Sequence, residues 1–294
     1  MSERQYPTAA WAALASVCFF WGTTYLAIRV ALESFPPLLL VASRFWASGI
    51  LMFLLVRWRG YALPAWRDSW LPALTGFLIL GAGNGCLVFS ERIIPSSLAA
   101  LFITVSPFWM TGMESLIPGG VKLDVRTLGG MLLGLSGPAL LFVPNIVERG
   151  FSGNIWQGFL ILQLGCASWS LGSILQKRRS STVHPFANAA VQQLAAGVAF
   201  TIPALVAGGS VHWTPSSATA WVYLVTFGSI VGFSSYVYAL EKLPVAIVSI
   251  YSYVNPIVAA VLGWIAYREP FGWRETAAMA LTFAGVAVVK RVSR

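Results

Sequence analysis

The sequence predicts an all-α polytopic membrane protein: ten transmembrane helices arranged as two inverted-topology five-helix repeats, with both termini in the cytoplasm. Three observations predict it. The chain is 57% hydrophobic and only 10% charged, and its mean hydropathy is +0.74, a balance found in membrane proteins rather than soluble domains. It divides into ten apolar runs near the length of about 20 residues that crosses a bilayer, joined by short polar segments. The pattern of the first half then recurs in the second at a nearly constant offset.

In order, the runs cover residues 8–27, 38–56, 70–89, 98–116, 128–143, 155–175, 186–207, 218–240, 245–267 and 276–289. The first is full length and takes part in the repeat, so it reads as a span and not as a removable signal peptide. Cys18, Cys86 and Cys166 all fall inside runs, where Cys acts as a small hydrophobe. Neither a disulfide framework nor a metal-binding CxxC is indicated, and no cofactor is expected.

The net charge of +9 does not point to nucleic acid, because the cations are spread over the joints instead of forming one block. They report topology. With the N-terminus inside, the inner joints and tails carry Arg4, Arg57, Arg59, Arg67, Lys122, Arg126, Lys177, Arg178, Arg179, Lys242, Lys290, Arg291 and Arg294. The outer joints carry only Arg29, Arg92, Arg149, Arg268 and Arg274. Lys and Arg concentrate on the cytoplasmic side, so both termini are expected there.

The first run contains "CFFWGTTYLAIR", and "CASWSLGSILQK" repeats its spacing: Cys166, Trp169 and Lys177 each lie 148 positions after Cys18, Trp21 and Arg29. The same offset relates Pro37 to Pro185, Arg44 to Gln192 and Gly49 to Gly197, and an offset of 149 relates Pro95 to Pro244 and Pro107 to Pro256. Two copies of one unit, residues 1–146 and 153–294, are therefore expected. Each has five runs. An odd number turns the second copy upside-down in the membrane, the inverted-repeat plan of secondary transporters.

The chain resembles the ten-span EamA-type members of the drug/metabolite transporter superfamily. The resemblance rests on "WGTTYLAIRVAL" from Trp21, "SRFWASGILM" around Arg44, "SPFW" with Pro107, "NPIVAAVLGWIAYREP" from Asn255 to Pro270, and "FAGVAVV" near the end. It covers nearly the whole chain. One departure stands out: the family pattern places a Glu at the end of the fourth and ninth spans, and here Glu269 has Gly120 as its counterpart. The small four-span relatives that exchange protons for drug cations carry an acid in their first span, and this first run has none.

Ionisable residues within a span cost roughly 2.5–3.5 kcal/mol on insertion scales, so those present should be paired or face a wet cavity. Arg44 and Glu114 qualify. Glu114 reads as a helix-end carboxylate beside a Lys or Arg. Arg44 is either a structural group bridging helices or a counter-charge for a substrate carboxylate. The uncharged polar residues in the runs, among them Thr23, Thr24, Asn84, Thr104, Ser106, Gln163, Ser170, Ser173, Gln192, Gln193, Ser234, Ser252 and Asn255, mostly suit helix-to-helix hydrogen bonds. Gly129, Gly130, Gly134 and Gly137 suit close helix approach.

Trp58, Trp66, Trp70, Trp156, Trp213, Trp221 and Trp273 sit at run ends, where indoles anchor at the headgroups. Trp21 and Trp169 lie well inside their runs, where the repeat would place them on either side of a midplane axis, the location of substrate sites in such carriers. The expected substrate-lining set is Trp21, Thr23, Arg44, Asn84, Ser106, Gln163, Trp169, Ser173, Tyr236, Ser252 and Asn255, with Tyr251 and Tyr253 as further aromatic candidates. Catalysis finds little to recruit: His184 and His212 sit in joints, no Asp lies in a run, and neither HExxH, GxSxG nor a Walker motif occurs.

These readings lead to a secondary transporter, not an enzyme, alternating access around an aromatic-lined cavity. The resemblance implies export of small metabolites, amino acids first, from a bacterial cell through its inner membrane. Export of drugs or of nucleobase-, sugar- or phosphate-type metabolites is the alternative, with a channel or a lipid-modifying enzyme behind it. The expected partners are the small-molecule substrate and the lipid bilayer, with no nucleic acid, and the chain itself a monomer or weak dimer.

Overall fold

A computed structural model of the chain describes residues 6–94, 96–120, 122–149, 153–178, 184–267 and 272–292. Arg4, Pro95, Arg179, Arg268, Glu269, Pro270 and Arg294 lie outside the described residues. Every regular element among those described is helical. The first half comprises α1 (Thr8–Leu32), α2 (Pro37–Trp58), α3 (Trp70–Ile93), α4 (Ser96–Ile103), α5 (Ser106–Leu116) and α6 (Val125–Arg149). The second comprises α7 (Gly153–Arg178), α8 (Pro185–Ala207), α9 (Pro215–Lys242), α10 (Val245–Val248), α11 (Tyr251–Tyr267) and α12 (Trp273–Val292). Among the described residues, six helices are long and apolar enough to cross a membrane: α1, α2, α3, α7, α8 and α9.

Local chemistry sets the helix starts. Pro37, Pro185 and Pro215 occupy first-turn positions, where a missing N–H costs nothing and the fixed φ already suits a helix. Thr214 and Ser217 complete a capping box at the start of α9, satisfying two orphan donors reciprocally.

The fourth and ninth runs, expected as continuous spans, are each broken. Between α4 and α5 the Thr104 hydroxyl takes the Leu101 carbonyl, and Pro107 in the next turn has no N–H to donate back across the gap. Between α10 and α11 the Ser249 and Ser252 hydroxyls capture the carbonyls of Ala246 and Ser249, which offers the backbone an alternative to the helical ladder.

Helix packing is reciprocal between the halves. The most extensive pairings are α2 with α8 and α6 with α12; α1 packs on α11 and α9, while α7 packs on α4, α5 and α3. Exchanging the halves returns the same pairs, apart from that of α4 with α7. The α2–α8 crossing shows this at atomic level. A β-carbon on Gly49 would lie 2.8 Å from the Leu194 nitrogen, and one on Gly197 would lie 2.9 Å from the Trp46 nitrogen. Only small residues permit so close an approach, and Trp46 and Leu194 are themselves 148 residues apart.

Contacts also sort the joints into two ends. At one end Tyr61 stacks on His184 with centroids 4.0 Å apart, Arg178 donates to the Pro118 carbonyl, and Lys177 donates to the carbonyls of Leu240 and Leu243. At the other, the His212 N–H donates to Ser34 O, Phe35 meets Trp213 edge to face, and Ser90 donates to Gly158 O. Lys177, read from the sequence as a joint cation, is thus a cap on the last carbonyls of α9, where positive charge complements the helix dipole. Glu114 feels the positive charges of Lys177 and Arg178.

Outside this packing the surface is apolar: Leu54, Leu164, Ile202 and Leu205 are exposed, as in a protein whose solvent is lipid. Trp58, Trp66, Trp156, Trp213 and Trp273 are exposed at helix ends. Trp221 is half-buried and donates instead to the Ser43 hydroxyl.

Candidate functional site

The fold brings α1, α2, α3, α7, α9 and α11, with the facing ends of α4 and α5, around a central chamber of about 70 Å³. Its position follows from two widened stretches. Residues Phe77–Gly83 of α3 and Leu224–Val231 of α9 form π-helical turns, a geometry that recurs at functional sites because it displaces backbone from the regular ladder. A glycine within or just after each lets an opposing indole approach the backbone closely. A β-carbon on Gly232, just after the π turns of α9, would lie 2.5 Å from the Trp21 indole nitrogen, and one on Gly83 would lie 2.9 Å from the Trp169 ring.

Trp21 and Trp169 accordingly meet, edge to face, with ring centroids 5.2 Å apart. Tyr251 and Tyr236 each lie 5.1 Å from Trp21, and Tyr236 lies 5.5 Å from Trp169. Both indole N–H groups are spent on protein acceptors: Trp21 donates to Gly228 O at 2.9 Å and Trp169 to the Tyr236 hydroxyl at 3.0 Å. The rings therefore offer the chamber π surface and apolar area rather than hydrogen bonds.

Arg44 supplies the charge. Only 4% exposed, its Nε donates to Ser229 Oγ at 2.7 Å and its Nη1 reaches Asn84 Oδ1 at 3.5 Å. A side chain at Gly228 would collide with the guanidinium, since a β-carbon there would stand 2.9 Å from Nη2. Among the described residues the one ion pair is Lys242 with Glu241, at the protein surface. The Arg44 charge has neutral partners here. Burial of a cation without a carboxylate is costly, and a guanidinium with five N–H donors retains capacity for a planar, two-oxygen anion.

Of the residues expected from the sequence, Trp21, Arg44, Asn84, Ser106, Trp169 and Asn255 line the chamber. Ser106 donates to Cys166 Sγ at 3.2 Å, and the Asn255 amide, assigned so that its nitrogen faces the two acceptors beside it, donates to Tyr251 O and Cys18 O. The other five stand behind or beside the lining. Tyr236 and Ser173 bond each other at 2.5 Å in support of Trp169. Thr23 binds Phe20 O and the Tyr223 hydroxyl, tying α1 to α9. Gln163 accepts from Trp109 and donates to Phe102 O. Among the described residues Ser252 bonds within its own turn, to Ser249 O. Tyr251 lines the chamber and Tyr253 does not.

Thr24, Tyr25, Ser229 and Phe233 also line the chamber and were not in the expected set. Helix phase carries the missing signal for two of them. Residues 24 and 25 share the face of residue 21 on a 3.6-residue helix, whereas residue 23 points nearly opposite. Ser229 has no comparable signal, because π turns alter the phase.

If the paired indoles form the working surface, Trp21→Ala and Trp169→Ala are expected to keep folded protein in detergent and to weaken transport. A cation–π contact to a bound ammonium is worth about 0.5–2 kcal/mol, which corresponds to a loss of a few-fold to roughly thirtyfold. Substrate should also change the tryptophan fluorescence of the parent more than that of either variant. Parental transport in both variants would make the pair a packing device.

An all-helical bundle with largely reciprocal packing between its halves, two broken helices and a small aromatic chamber holding a buried Arg is the plan of a membrane carrier. The chain belongs to the EamA-like transporter family, whose model matches residues 8–143 and again residues 156–291. It is similar to "Uncharacterized inner membrane transporter YedA" of Escherichia coli strain K12, with 36% identity over 254 residues, 85% of this chain and 80% of that protein. It is also similar to "Probable terminal-alkyne amino-acid exporter" of Streptantibioticus cattleyicolor, at 27% identity over 96% of this chain and 93% of that one. A crystal structure at 21% identity superposes with a TM-score of 0.81, covering 99% of this chain and all of that one, which shows the shared fold.

Proposed function

We propose that this chain is a bacterial inner-membrane exporter of amino acids or related small metabolites. It works by alternating access, with ten spans in two inverted repeats, residues 1–146 and 153–294, and both termini cytoplasmic. The observation that carries the reading is Arg44: a buried guanidinium without a carboxylate partner among the described residues, on a chamber whose other main feature is aromatic surface from both halves. A substrate carboxylate would supply the missing negative charge. Trp21, Trp169 and Tyr251 would receive an apolar side chain or an ammonium group, and Asn84 and Ser106 the remaining polar contacts.

The inner-membrane assignment is supported by the name of the Escherichia coli relative, and the amino-acid class by that of the Streptantibioticus protein. Orientation is supported by the excess of Lys and Arg on one set of joints. The chamber at about 70 Å³ holds on the order of five waters, so substrate binding requires the aromatic cluster to open.

Uptake of a labelled amino-acid panel into proteoliposomes, with and without a pH gradient, tests the reading. At least one amino acid should enter faster than into protein-free liposomes, and competition should rank the rest. Entry of nucleobases, sugars or phosphate esters with no amino-acid flux would replace the substrate class.

A further inference from the structure

A second cavity, of about 580 Å³, is several times larger than the central chamber. It lies between α1, α2, α9 and the start of α8. Its deep part is apolar, with Ala13, Met52, Leu55 and Ile230, and its mouth is polar, with the Tyr61–His184 stack and the exposed Glu241–Lys242 ion pair. Along α2 it begins two turns from Arg44, since Ser48 lies between Arg44 and Met52 at helical spacing and bonds the Arg44 carbonyl. The side chains of Met52 and Ser234, which touch across it, thus stand just beyond the chamber floor formed by Phe45 and Phe233.

The pseudo-equivalent space at the opposite end is filled. Met52 corresponds to Phe200 at the offset of 148, while Ile230 and Ser234 correspond to Gly81 and Gly85 at 149. There the Phe200 ring lies directly on the two glycines, 3.3 and 2.8 Å from where their β-carbons would be. Side-chain size cannot explain the difference, because the open end carries Met, Ile and Ser where the closed end has Phe and two glycines. The helices themselves must stand farther apart at the open end.

From this asymmetry we propose that the 580 Å³ cavity is a second substrate site, a cytoplasmic vestibule. It receives a small zwitterion with an apolar side chain, which rests against Met52, Leu55 and Ile230 before it passes to the chamber, while Phe200 keeps the outer end shut. This rests on the proposed orientation and amino-acid class.

The test places reporter cysteines in a background of Cys18→Ala, Cys86→Ala and Cys166→Ala: Ser234→Cys in the depth, Tyr238→Cys as a second reporter in the same cavity, and Arg59→Cys as a marker of the cytoplasmic end. A small impermeant methanethiosulfonate is applied to inside-out and right-side-out vesicles. All three thiols should react in inside-out vesicles and none in right-side-out ones, and L-leucine should slow the two cavity thiols without slowing Arg59→Cys. Two results would overturn the vestibule: both cavity thiols inert while Arg59→Cys reacts, or reaction from the face opposite to Arg59→Cys. Reaction that neither L-leucine nor any amino acid active in the uptake assay slows would leave a wet cleft and remove the binding role. Failure of the uptake panel with these accessibilities intact would count against the amino-acid class alone.

Discussion

Arg44→Ala is expected to cut transport ten- to a hundredfold while the protein remains monodisperse in detergent. Arg44 holds Ser229 and Asn84 and faces the chamber with its remaining donors. Hydrogen bonds to a charged group are worth about 1.5–3 kcal/mol, and each 1.4 kcal/mol is a factor of ten. Arg44→Lys should recover part of the rate, since it restores the charge without the planar two-point geometry. Initial-rate uptake beside size-exclusion and thermal melts separates the two roles. Parental transport by Arg44→Ala would sink the substrate role. Loss of folded protein in both variants would assign Arg44 to structure.

A larger effect on stability is expected at the α6–α12 seam. A β-carbon on Gly285 would stand 2.5 Å from the Gly134 α-carbon and 2.7 Å from the Gly130 carbonyl oxygen. Backbone cannot rotate aside as a side chain can. Overpacking costs typically about 1–3 kcal/mol and more where the surroundings cannot give, and Gly285→Val sets three carbons against backbone, so little folded protein should survive extraction. Gly129, from the same glycine-rich stretch, has nothing within 4 Å of its β-position, so Gly129→Ala should leave the melting temperature unchanged or slightly higher. A wild-type melt for Gly285→Val would show that the seam relaxes freely.

The contrast between these two glycines shows how far the sequence could be read. Gly129, Gly130, Gly134 and Gly137 were alike as small residues in one run, and spacing did not separate the three that meet α12 from the one that does not. Thr23 and Thr24, by contrast, were separable by helix phase, because residue 24 shares the face of Trp21 and residue 23 does not. The 148-residue offset also anticipated specific contacts: Trp21 and Trp169 touch, and Gly49 and Gly197 serve the same crossing. Lys177 was legible as a cation but not as a cap, because its carbonyl partners are more than sixty residues away.

The amino-acid sequence by itself determined the helical class and the 148-residue offset that anticipates the contact of Trp21 with Trp169, because these rest on composition, run length and spacing, which are properties of the chain taken linearly. Only the tertiary structure decided which face of each helix meets the chamber, where the fourth and ninth runs break, and why one end is open while its counterpart is packed by Phe200. Those outcomes depend on how far apart neighbouring helices stand. With lipid as solvent, that spacing is set by packing and by internal hydrogen bonds, and nearly identical residue patterns can occupy more than one arrangement.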